Sequence, residues 1–98
     1  MIAIWRQELA LIEKQEITAP GLRRIVAIDN RRKRADEIEA WFEVDTDAED
    51  RTLEVYIVGT GHEVPEAVTR GWEQTYLGHL IDGPWVWHLY SVDPGRRP

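Results

Sequence analysis

The chain has 98 residues, 43% of them hydrophobic and 31% charged, no cysteine and a formal net charge of -6. That length suits one domain and excludes two independent cores. The composition lies far from that of disordered chains, and the missing cysteines exclude a disulfide framework and a thiolate metal site. The acidic balance disfavours general attraction to nucleic acid.

Residues 1–92 are expected to form a single β-rich domain, with 93–98 as a flexible polar tail that holds two prolines. Ile2 to Leu9 alternates, with Ile2 and Ile4 on one face and Ala3, Trp5 and Leu9 on the other, and predicts a first strand. Helix is the rival reading through Ile12, because Gln7 to Glu16 holds helix formers. Strand followed by loop is favoured, closed by the turn signal Thr18-Ala19-Pro20-Gly21. Arg23 to Asp29, with Ile25, Val26 and Ile28, predicts a second strand.

A polar turn then runs from Asp29-Asn30 through Arg31, Arg32, Lys33 and Arg34 to Asp36. From Ile38 to Val44 the alternation is cleanest: Ile38, Ala40, Phe42 and Val44 share one face, Glu39, Trp41 and Glu43 the other. After the acidic turn Asp45–Asp50, Leu53, Val55 and Ile57 alternate with Glu54, Tyr56 and Val58, and the two strands read as an antiparallel hairpin. Val64 to Val68 suits one helical turn begun near Pro65 and ended by Gly71. Tyr76–Ile81 and Trp85–Val92 flank Asp82-Gly83-Pro84 and predict a C-terminal hairpin, with apolar residues on both faces of its last strand as in the centre of a sheet. The fold class is therefore mainly β: one small antiparallel sheet or a sandwich of about six strands, with at most one short helix.

Arg6, Glu8 and Glu13 interrupt any apolar run of signal-peptide length, and no stretch is long enough to span a bilayer, so a cytoplasmic protein is expected.

Ile4-Trp5, Ile17 with Ala19-Pro20-Gly21, Val58-Gly59-Thr60-Gly61-His62, Tyr76-Leu77-Gly78 and Trp87-His88-Leu89-Tyr90 occur in an order and spacing that resemble a family of small proteins of unknown function from tailed phages and prophages. The Gly-Thr-Gly-His stretch is the most specific part. The resemblance implies a setting, a phage accessory protein in the bacterial host cytoplasm, and no assigned activity.

Gly59, Thr60, Gly61 and His62 form the first candidate site, since glycines let backbone N–H groups approach a nucleotide phosphate or another anion. The Gly-Lys-Ser/Thr ending of a phosphate loop and the three spaced glycines of a dinucleotide loop are both missing, which favours a strand-exit turn. His62, His79 and His88 follow no metal-site spacing, and no metal or other cofactor is expected. There is no cysteine nucleophile, Ser91 is the only serine, and Glu39 with Glu43 reads as the wet side of a sheet, so an enzyme is not expected.

Arg31, Arg32, Lys33 and Arg34 are the candidates for contact with nucleic acid or an acidic protein, though a solvated loop is the commoner role of such a run, and Trp41 is a candidate anchor for a bound protein. Binding of a host or phage protein is the leading expectation. A small-ligand protein using Gly59–His62 and a minor virion component are the alternatives, a homo-oligomer is compatible with either, and no membrane or nucleic-acid partner is expected.

Overall fold

The computed structural model describes residues 1–30, 37–70 and 74–96. Among the described residues the chain is mainly β: seven antiparallel strands in two sheets and one short helix. In chain order these are β1 (Ile2–Ala10), β2 (Lys14–Pro20), β3 (Arg24–Asp29), β4 (Glu37–Asp45), β5 (Asp50–Gly59), α1 (Glu66–Thr69), β6 (Gln74–Asp82) and β7 (Trp85–Val92), followed by a 3-10 turn at Pro94–Arg96. One sheet has the order β1-β4-β3, the other β2-β5-β7-β6. They stack as a flat sandwich with extents of 42 × 34 × 16 Å.

The core lies where the alternation puts it. On β4, Ile38, Ala40, Phe42 and Val44 are all buried, and the register sets Leu9, Gln7, Trp5 and Ala3 of β1 opposite them. The facing layer supplies Ile17, Leu53, Val55, Ile57 and Leu89. Leu22, between β2 and β3, is fully buried in the same core. Burying each such side chain contributes about 1.5–3 kcal/mol.

Two expectations are corrected. Lys14–Pro20 is a strand and not a loop or helix. It is an edge strand that turns only Gln15, Ile17 and Ala19 inward, too few apolar residues to mark a strand among helix formers. The predicted hairpin of Ile38–Val44 with the following strand also does not form, because β4 pairs with β1 and β3 while β5 pairs with β2 and β7. The acidic turn instead carries the chain from one layer to the other, so both strands face the same core from opposite sides. There it interlocks with the β2–β3 connection: Gly21 N–H donates to Glu49 O at 2.7 Å and Asp45 N–H to Gly21 O at 3.3 Å.

The β6–β7 hairpin forms as expected, β7 is central, and the helical turn follows Pro65. Val68, Val64 and Ala67 of that segment cover Tyr56, Tyr90 and Val92 on the outer face of the four-stranded sheet. This cover buries Tyr56 in a strand that is buried without a break from Leu53 to Val58.

Candidate functional site

Gly59 ends β5 directly opposite Trp87 of β7. A Cβ at Gly59 would lie 3.1 Å from Trp87 Cζ3, so the glycine makes room for the indole. Beyond it the chain turns tightly: His62 N–H donates to Gly59 O at 3.0 Å, and Gly61 takes φ 87°, the left-handed region that favours glycine. Thr60 ties this turn to β7, its N–H donating to Val86 O at 3.1 Å and its hydroxyl to the same oxygen at 3.3 Å.

Thr60 Oγ1 also lies 2.7 Å from His88 Nε2, and His88 Nδ1 lies 2.8 Å from the Tyr76 hydroxyl. Since the Thr60 hydroxyl donates to Val86, it accepts from His88 Nε2–H, and Nδ1 accepts from Tyr76. The network thereby places a ring proton on Nε2.

His62 itself is exposed and lines a cleft of about 410 Å³ between this turn and the β1–β2 connection. Leu11, Gly59 and Trp87 form its apolar wall, and Glu13 and Glu63 also line it. Those two carboxylates oppose an anion. Trp87 stacks on the exposed Trp85, with ring centroids 6.4 Å apart.

The three candidate histidines do not converge on one point. His79 and His88 are cross-strand neighbours with centroids 6.3 Å apart, but both nitrogens of His88 are already hydrogen-bonded. Among the described residues no group of three or more His, Asp or Glu side chains is placed to hold a metal ion.

The outer face of the three-stranded sheet is built around Trp41, with Arg6 of β1 and Ala27 of β3 opposite it. The next row holds Ile4, Glu43 and Arg24; the row on the other side holds Glu8, Glu39 and Asp29. Arg6 Nη1 reaches Glu39 Oε2 at 3.2 Å, and Arg24 Nε reaches Glu43 Oε1 at 2.9 Å. Both carboxylates are thus held in ion pairs with arginine. Glu39 faces outward yet is only 2% exposed, which corrects its reading as part of the wet side of the sheet.

Over residues 1–97 the sequence matches the family described as Domain of unknown function (DUF7352). The chain belongs to the DUF7352 family. No curated protein and no solved structure matches it.

In this DUF7352 chain the hydrogen bonds from Arg24 hold the Glu43 carboxyl below its ordinary value, and the same contact raises the Arg24 guanidinium. Asp45 is lowered chiefly by the backbone N–H of Asp47. The candidates Arg31 to Arg34 lie outside the described residues. Trp41 lies on the outer face with Glu39 and Glu43, as its alternation predicts. Sequence reasoning missed Ile4, Arg6, Arg24 and His88 as members of these two sites. For the first three the signal was present, since reading β1 and β3 in register with β4 places them beside Trp41. Among the described residues of the DUF7352 chain, no helix is long and apolar enough to cross a membrane.

Proposed function

We propose that this protein acts by binding, as a non-enzymatic accessory protein whose three-stranded outer face docks another protein. The observation that carries the reading is an asymmetry between the two outer faces. On the four-stranded sheet the α1 segment covers Tyr56, Tyr90 and Val92 and leaves Tyr76 exposed at the edge, whereas on the three-stranded sheet nothing among the described residues covers the central strand, and partly exposed Trp41 is flanked by exposed Ile4 and Ala27 and by arginine–carboxylate pairs. An aromatic anchor ringed by polar groups is the arrangement of a protein-docking patch. In the setting that the resemblance to phage and prophage proteins implies, the partner is a host or phage protein in the bacterial cytoplasm.

The test is affinity capture followed by titration with the purified, identified partner. Trp41→Ala is expected to weaken binding by about tenfold or more, and replacing Arg31 to Arg34 with Ser tests the basic run separately. A partner that binds both variants as tightly as the parent would refute the docking face.

The cleft at His62 supports a second reading, a small-ligand site. Its Glu13 and Glu63 lining favours a neutral or cationic ligand over a nucleotide. A thermal-shift screen with nucleotides and organic amines, repeated on His62→Ala, separates these, because a ligand of the folded state raises the midpoint.

A further inference from the structure

The sandwich has four edge strands, and three carry features that oppose further strand pairing. β3 is bulged between Ile25 and Ala27, and β6 between Tyr76 and Gly78. β2 begins with Lys14 and ends at Pro20. Bulges, lysine and proline are the usual means of protecting an edge. β1 has no bulge, lysine or proline, and its charged residues Arg6 and Glu8 follow the apolar stretch Ile2–Trp5: its register with β4 runs unbroken from Ile2↔Asp45 to Ala10↔Glu37.

The direction of its free backbone groups follows from the ladder. Hydrogen-bonded pairs alternate with non-bonded ones in antiparallel sheets. Thr46 N–H donates to Met1 O at 2.9 Å, so the odd-numbered residues of β1 bond to β4 and the even-numbered ones point away. Ala10 confirms this phase, since the Gln15 side-chain amide satisfies its outward N–H and C=O at 3.0 and 2.7 Å. The outward groups of Ile2, Ile4 and Arg6 meet no such partner among the described residues. The same stretch exposes Ile2, Ile4 and Trp5 at 50%, 54% and 42%.

We propose that β1 pairs antiparallel with β1 of a second copy of this chain, about a two-fold axis at Ile4, to form a continuous six-stranded sheet across a homodimer. In that register Ile4 meets Ile4, Ile2 meets Arg6, and the small Ala3 receives Trp5 on each side of the axis. It uses the backbone groups of Ile2, Ile4 and Arg6, the ones left without partners, and covers all three exposed apolar side chains. It also keeps the two Arg6 side chains apart, which registers centred on Trp5 or Arg6 do not. A stable interface covers about 800 Å² per partner, more than one strand edge supplies, so the dimer forms weakly. A net charge of -6 on each copy opposes association, and added salt strengthens it.

Sedimentation velocity up to about 500 µM chain should show a dimer that grows with concentration and with ionic strength. Ile4→Lys should keep the circular dichroism spectrum and remain monomeric, because the side chain it replaces is exposed. The absence of cysteine makes cross-linking unambiguous. Ile4→Cys should give a disulfide dimer on mild oxidation, its Cα atoms being about 5.5 Å apart across the axis. Ile2→Cys should not, with a separation of about 14 Å. Trp41→Ala should dimerise like the parent, because Trp41 lies on the central strand β4 and not on the pairing edge, so this variant separates the dimer from the docking face even though the two share Ile4. A parent chain monomeric throughout, a dimer indifferent to Ile4→Lys or abolished by Trp41→Ala, or equal cross-linking of the two cysteine variants would each overturn the proposal.

Discussion

Gly59 and Trp87 face each other across the β5–β7 ladder, and the missing side chain of one is the space occupied by the other. With Trp87 Cζ3 only 3.1 Å from the point where a Cβ would stand, Gly59→Ala forces the indole to move by a few tenths of an ångström. A cost of about 1 kcal/mol is expected, and about 1–3 kcal/mol for Gly59→Val. Urea denaturation measures both, and a neutral valine variant would show that the indole is not fixed by this contact.

Gly21 presents a harder constraint. Its φ is +48°, and a Cβ there would lie 2.8 Å from the Cβ atoms of Ala48 and Asp45 and 2.9 Å from Asp45 O. Conformational strain and backbone overlap act together at the point where the two sheet-to-sheet connections interlock. Gly21→Ala is expected to destabilise by about 2–4 kcal/mol, seen as a lower urea midpoint with an unchanged slope.

Glu43 supplies an acid-side pH dependence. Its folded-state value is depressed, by hydrogen bonding to Arg24 first, so its contribution is present above the unfolded value of 4.5 and is lost as pH falls through the lower folded one. Arg24→Gln should flatten the fall in stability with acid over that window. Parallel pH–stability curves for parent and variant would contradict the assignment.

His88 links the exit turn to the sheet through Thr60 and Tyr76. Nitrogen-15 NMR should find the Nε2–H tautomer. His88→Phe should speed hydrogen exchange at Gly61 and His62 well before it affects the strands, since the opening is local. The Nδ1–H form in the parent, or uniform exchange changes in the variant, would show that the relay is drawn the wrong way round.

Much of this architecture was legible in the chain. The alternation of Ile38 to Val44 is enough to assign its core face, because side chains in a strand point to opposite sides by geometry alone. The Asp82-Gly83 turn and the two-sided apolar pattern of Trp85 to Val92 were enough to place a central strand in a C-terminal hairpin. Lys14 to Pro20 was obscured because an edge strand with three inward residues carries little periodicity, and its pairing energy comes from β5, whose partners lie 30 to 42 residues away.

For Gly59-Thr60-Gly61-His62, the residues alone established a tight strand-exit turn, because glycine is the residue that adopts its backbone angles at low cost. The tertiary structure decided the rest: that Gly59 yields space to Trp87, that Thr60 is tied to His88, and that His62 lines a cleft beside Gly59. It also decided which sheet each strand joins. Period-two alternation specifies the face a strand buries but not its neighbours, and β4 and β5 bury their apolar faces in the same core from opposite layers.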